Sequence, residues 1–147
     1  MFKRVVVKYI VSLMRENIKL LKNEIKLMEE EKNSLTKSSA GDKHEVSRSL
    51  MQIEYDKLNE SYNSQLKELK SIESLDLNKK KIIGLGSLVK TDRFQYFIAI
   101  GLGKHKISNK SILLVSYASP VGQLLIGKNK GDYVIINNEK EKIISLS

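Results

Sequence analysis

Asp42 and Glu45 stand three residues apart just after Ser38-Ser39-Ala40-Gly41, between two long stretches of heptad-spaced apolar residues. Two acids so placed have two uses. They form a capping box, in which Asp42 accepts from the first amides of the following helix and Glu45 reaches back, both favoured by the helix dipole. They also stand where a helical hairpin would carry acid into a narrow site, because the flanking stretches hide apolar residues along their length and leave the far end charged.

Other reactive constellations have little support. The chain has no cysteine, which removes disulfides and thiolate metal sites and agrees with a reducing compartment. His44 and His105 are far apart in sequence, and Ser47 and Ser49 follow no nucleophile-elbow pattern, so a hydrolytic triad is not indicated. Gly84-Leu85-Gly86 and Gly101-Leu102-Gly103-Lys104 lack the spacing of a phosphate-binding loop and read as turns.

The elements that must position the two acids are long helices. Val11, Ile18 and Ile25 alternate with Met14, Leu21, Met28 and Leu35 at spacings of three and four, with Lys32 as the polar intrusion. A helix of about 30 residues, or about 45 Å, follows. Met51, Tyr55, Leu58, Tyr62, Leu69 and Ile72 repeat the pattern, with Gln65 as the exception. A short Ser/Ala/Gly link between two such helices forces antiparallel return. Residues 1–76 are therefore expected to form a coiled-coil hairpin with its acidic tip near 38–45, and a hairpin can be monomeric where a parallel coiled coil cannot.

After Lys79-Lys80-Lys81 the period shortens to apolar bursts separated by turn residues. Ile82-Ile83, Leu88-Val89, Phe94 to Ile100, Ile112 to Tyr117, Tyr133 to Ile136 and Ile143-Ile144 read as strands. Between them Ser119 can cap a helix, Pro120 suits its first position and Gly127 can close it. The fold class is α+β, with residues 77–147 forming a small antiparallel sheet domain with one short helix.

A chain of 147 residues, 41% hydrophobic, can bury one ordinary core or two small ones. Its formal net charge of +9 is uneven. Residues 1–75 hold 14 basic and 12 acidic side chains, residues 76–147 hold 12 and 5. A field of that sign favours polyanions such as nucleic acid, or acidic protein surfaces, and it also keeps a small domain soluble. Lys8 interrupts the apolar opening and no run approaches the roughly 18 residues of a membrane span, so a soluble cytoplasmic protein is expected.

Two motifs in this frame resemble the Gre-type transcript-cleavage factors of bacterial RNA polymerase. Gly41-Asp42-x-x-Glu45 stands where that family has its Gly-Asp-Leu-Ser-Glu tip. Gly84-x-Gly86-Ser87-x-Val89 resembles its opening strand, and Ser119-Pro120 through Leu124-x-x-Gly127-Lys128-x-x-Gly131-Asp132-x-Val134 resembles its Ser-Pro helix and Gly-Asp turn. The resemblance implies an FK506-binding-protein-like sheet domain that docks at the mouth of the polymerase secondary channel, with Ser119, Pro120, Gly127, Lys128, Gly131 and Asp132 in its partner-binding motif. It implies that the hairpin reaches the active site, where Asp42 is the principal ligand of a shared Mg²⁺ and Glu45 the second ligand or water-orienting group. The polymerase itself then cuts the 3′ end of the nascent RNA, and the chain is an accessory factor with no turnover of its own. Hard Mg²⁺ takes oxygen ligands and keeps several waters, so one or two acids can recruit it, and it activates a bound water.

The chain departs from the family pattern at Lys43-His44, where Leu-Ser is usual, at Val46-Ser47-Arg48-Ser49, and at its first residues, Phe2 to Val7. Lysine beside the two acids opposes Mg²⁺ recruitment by about 1 kcal/mol at exposed separations of roughly 4 to 8 Å. That favours a second reading, a channel-binding regulator that blocks without stimulating cleavage. A third, a peptidyl-prolyl isomerase, would need Phe94, Tyr96, Phe97, Tyr117 and Tyr133 gathered in one pocket. A fourth is a coiled-coil scaffold.

Overall fold

Neither helical stretch contains glycine or proline, and both run unbroken: α1 spans Phe2–Thr36 and α2 spans Asp42–Glu73. The computed structural model describes the backbone of residues 1–36 and 42–147 and the side chains of 1–34 and 45–147. The 37–41 link and the side chains of Leu35, Thr36, Asp42, Lys43 and His44 lie outside the described residues. Two compact units divide the chain, Ile10–Ser71 and a second made of Met1–Tyr9 with Ile72–Ser147.

In the first unit every heptad position from Val11 to Lys32 and from Met51 to Leu69 is shielded, while most intervening residues are exposed. Met14 and Ile18 are the deepest of them. The polar intrusion is accommodated: the Lys32 ammonium lies 5.0 Å from the Tyr55 ring centroid, a cation–π contact across the seam. Five residues between the helices reach at most about 18 Å, far short of a 35-residue helix, which excludes a parallel side-by-side pair. The contact of Lys32 with the early part of α2 agrees.

The second unit holds six strands and one short helix. The strands are β1 Leu88–Thr91, β2 Gln95–Ala99, β3 Gly103–Ile107, β4 Lys110–Ser116, β5 Tyr133–Ile136 and β6 Glu139–Leu146, in the order β3-β4-β2-β1-β6-β5, and α3 is Pro120–Leu125. One feature corrects the expected antiparallel sheet: β2 and β4 pair in parallel, Tyr96 opposite Leu113, so the sheet is mixed. The reason is β3, which the apolar pattern does not show. It makes the antiparallel hairpin with β4 and leaves β4 running in the direction of β2. Ser108 and Asn109 turn that hairpin with φ of 50° and 65°, and Asn137 and Asn138 turn β5 into β6 in the same left-handed way. Ile82 forms only an isolated bridge, to Asn129.

The core packs Ile83, Val89, Tyr96, Ile98, Leu125, Val134, Ile136, Ile143 and Leu146 on one face of the sheet. Phe97, of opposite parity to Tyr96 and Ile98, is also fully buried, so β2 is covered on both faces. The first turns of α1 contact β3 and β4. Tyr9 Oη lies 2.8 Å from His105 Nδ1, and the Lys110 ammonium lies 4.5 Å from the Phe2 ring centroid.

Lys3, 2% exposed, donates from Nζ to the carbonyls of Asn78 at 3.1 Å and Leu77 at 3.4 Å. Burial, aided by the nearby Lys80 charge, pushes its ammonium below the ordinary lysine range, and Asp76 partly opposes this. A folded-state pKa below the unfolded value means that the unfolded chain holds more protons in the interval between them. Stability therefore rises with pH across that interval. Thermal melts from pH 8 to 10 should show the parent chain gaining stability relative to Lys3→Met; parallel curves would mean that Lys3 is not held in this way.

Candidate functional site

The two sequence-predicted acids stand at the start of α2, where Glu45 comes beside Lys32 of α1. Asp42 is the first helical residue. Glu45 is exposed and lines a cleft of about 420 Å³ with Lys32 of α1 and Arg48, Ser49 and Gln52 of α2. Its carboxylate thus shares the cleft with two cations, only one of which, Arg48, belongs to the stretch marked in sequence as a departure from the family pattern. The fit to Mg²⁺ follows from these neighbours. An exposed carboxylate is a suitable hard ligand, but no cluster of three or more His, Cys, Asp or Glu residues occurs among the described residues. A Mg²⁺ held by Glu45 would need further oxygen ligands from outside the described residues.

The second group of candidates surrounds α3. Ser119 caps it: Oγ accepts from the Gly122 amide at 3.0 Å and donates to the Ser116 carbonyl at 2.8 Å. Pro120 occupies the first turn, and Gly127, with φ of +84°, follows the capping residue Ile126. Replacing Ser119 by Ala should lower stability by about 1 kcal/mol, readable as a lower urea midpoint at unchanged slope.

Gly127, Lys128, Gly131 and Asp132 build a turn pinned at both ends. The Gly127 amide donates to Ile83 O, the Ile83 amide to Lys128 O, and the Gly131 amide to Ile143 O. Asp132 Oδ2 accepts from the Asn129 amide at 2.7 Å, closing the turn internally. Pro120, Gly127, Gly131 and Asp132 remain exposed, Ser119 and Lys128 half-buried.

One polar group in the core has no counterpart among the sequence-predicted residues. Glu141, 1% exposed, accepts from Thr91 Oγ1 at 2.6 Å and from Tyr96 Oη at 3.0 and 3.1 Å. Burial and the adjacent carboxylate push the Tyr96 phenol far above its ordinary range. The signal was strand parity, since Glu141 is two residues from the inward Ile143. The five aromatics do not share a pocket: Tyr96 and Phe97 are buried on opposite faces of β2, and Phe94 alone of the five lines the cleft between Lys90 and Ile144. Among the described residues no helix is long and apolar enough to cross a membrane.

Fold and site together define an α+β protein with an acid-bearing helix pair and a six-stranded mixed sheet. No protein-family model matches the chain, and no curated protein matches it. Solved structures similar to it include GreA factor homolog 1 (Gfh1) of Thermus thermophilus, at 16% identity over 93% of this chain and 94% of that one with a TM-score of 0.37. Thermus aquaticus Gfh1 matches at 16% identity over 92% of each chain with a TM-score of 0.34. A further structure described as the transcription factor Gfh1 matches at 16% identity over 92% of each chain, with a TM-score of 0.36.

Proposed function

We propose that this chain is a bacterial RNA polymerase elongation factor whose helix pair enters the secondary channel and whose tip acids stimulate cleavage of backtracked transcripts. The observation that carries the reading is the position of Glu45, exposed at the start of α2 where the seam brings the end of α1 alongside. Asp42 one turn earlier and the motif around Ser119 to Asp132 support it.

In this reading the sheet-domain motif binds polymerase and the helix pair is a rigid carrier. Asp42 and Glu45 offer carboxylate oxygens to a Mg²⁺ held jointly with the polymerase; the bound ion would lower the pKa of a water and stabilise charge on the scissile phosphate. Glu45 also orients that water. The chain has no turnover alone, and it acts in the cytoplasm on the nascent RNA 3′ end.

A second reading is favoured by a specific observation: Lys32 and Arg48 line the cleft of Glu45. Two cations there, with Lys43 adjacent in sequence, oppose cation recruitment, and the chain would then occupy the channel and inhibit. Labelled RNA in a stalled, backtracked complex separates the two. Shortened 3′ ends on addition of the protein support cleavage stimulation. Retained binding and slowed elongation without shortening would establish the blocker and overturn the first reading.

A further inference from the structure

The Ile82–Asn129 bridge has a consequence for charge. It lays Lys79, Lys80 and Lys81 beside Asn129 and Lys130, and these residues, with Ile82, Ser145 and Leu146, line a cleft of about 600 Å³. No carboxylate and no aromatic ring is among the lining residues. Lys128 lies on the same bridged segment, its carbonyl accepting from the Ile83 amide at 2.9 Å.

Two of the surrounding acids adjoin the cleft, Asp76 through its pair with Lys80 and Asp132 through the Asn129 amide. Residues 76–147 contain five acids, and each is occupied within the domain. Asp76 pairs with Lys80 at 3.1 Å, and Glu139 pairs with Arg93 at 3.0 Å. Asp92 accepts from the Lys142 amide at 3.0 Å and Asp132 from the Asn129 amide at 2.7 Å, while Glu141 is buried. Among the described residues Lys79, Lys81 and Lys130 make no ion pair. Three ammonium groups of the cleft are thus left without a carboxylate partner among these residues.

We propose that this lysine cleft is a binding surface for the phosphodiester backbone of duplex nucleic acid, independent of the acids at the start of α2. Ammonium groups are compact charges suited to single phosphate oxygens, whereas paired recognition of carboxylates favours the guanidinium fork, and no arginine lines the cleft. The absence of an aromatic platform among the lining residues argues against a single strand, whose bases need a surface to stack on. Lys90 stands opposite Ser145 of the cleft in the β1–β6 register, and Lys140 and Lys142 farther along β6 lie over the Tyr133 ring outside the cleft, an extent that suits a long polyanion better than a short acidic peptide. Binding is then independent of sequence and strongly salt-dependent.

The test is fluorescence anisotropy of a labelled mixed-sequence duplex with the full chain, titrated at several salt concentrations. Substituting Lys79→Gln, Lys81→Gln and Lys130→Gln together should weaken binding at least tenfold at low salt. The log–log salt slope should also shrink by about 2.7, at roughly 0.9 for each phosphate no longer neutralised. Arginine at the same three positions should retain binding, which guards against misfolding as the cause. Lys19→Gln, Lys22→Gln and Lys26→Gln on α1 form the control and should change affinity less than threefold. Three results would overturn the proposal: no duplex binding at low salt, equal loss in both triple variants, or displacement of the duplex by polyglutamate at lower charge concentration than by unlabelled DNA. The last would assign the cleft to an acidic protein.

Discussion

Asp42→Asn and Glu45→Gln should each reduce stimulated cleavage of a backtracked transcript by about 100-fold or more while leaving the melting temperature of the chain nearly unchanged. The size follows from the role proposed, since even outer groups of a metal site are worth roughly 10 to 100-fold and a direct carboxylate ligand should be worth at least the upper end. The choice of amides separates the two uses of these acids. Asparagine caps a helix about as well as aspartate, and glutamine serves in a capping box as glutamate does. The amide variants thus keep any hydrogen bonding at the helix start and lose the charge. If the acids only cap, both variants keep whatever activity the parent shows, and Asp42→Ala instead costs about 1 kcal/mol of helix stability. Loss of cleavage in the amides with stability intact cannot come from the cap. Removing the competing cations should act in the opposite sense: Arg48→Gln removes a positive charge that would repel Mg²⁺ beside Glu45, and its stimulation should exceed that of the parent by several-fold.

Much of this architecture was legible because burial follows the periods of the sequence. Each described residue placed on the helix seam, from Val11 and Met14 through Tyr62 and Leu69, is shielded, and Lys32, the one discordant residue of the first helix, is matched by the Tyr55 ring. The Ser119-Pro120 start of α3 was legible for a different reason, as a cap and a fixed φ are local and need no tertiary partner. What could not be read was pairing. The strand β3, Gly103-Lys104-His105-Lys106-Ile107, contributes a single buried side chain, Ile107, so it gives no alternating signal, and without it β4 could not be oriented relative to β2. The Ser108-Asn109 turn was the available clue, since two adjacent left-handed residues imply a tight hairpin. Parity marked Glu141 as inward, but its partners were hidden for the same reason as the lysine cleft. A charged residue's surroundings depend on which segments the sheet brings together: Thr91 and Tyr96 in one case, Asn129 and Lys130 in the other.

The largest stability effect expected in the sheet domain is at Gly122. This glycine is buried inside α3, and a methyl group added to it would overlap the Ser116 carbonyl oxygen, while lying 3.0 Å from Tyr117 O and 3.1 Å from Ser119 Oγ. None of these atoms can move away cheaply. Ser116 O already accepts from Ser119 Oγ at 2.8 Å, and Tyr117 O accepts from Gln123 Nε2 at 2.7 Å, so the end of β4 and the first turn of α3 are tied together through the acceptors that would have to shift. Relief comes only by lifting α3 from the sheet, which breaks the Ser119 cap and draws Leu125, fully buried in the core, toward solvent. A lost cap at about 1 kcal/mol and a partly exposed leucine at about 1 to 2 kcal/mol together give roughly 2 to 3 kcal/mol for Gly122→Ala. At about 2 to 4 °C per kcal/mol for a chain of this size, the melting temperature should fall by roughly 5 to 10 °C. Gly84→Ala is the matched control, because nothing lies within 4 Å of the position its methyl group would occupy. It should stay within about 0.5 kcal/mol of the parent. A Gly122→Ala melt that coincides with the Gly84→Ala melt would mean that α3 is not seated against β4 as described. The same variant also probes the proposed docking role of Ser119 and Pro120, since a displaced α3 should weaken polymerase binding even where the hairpin acids are untouched.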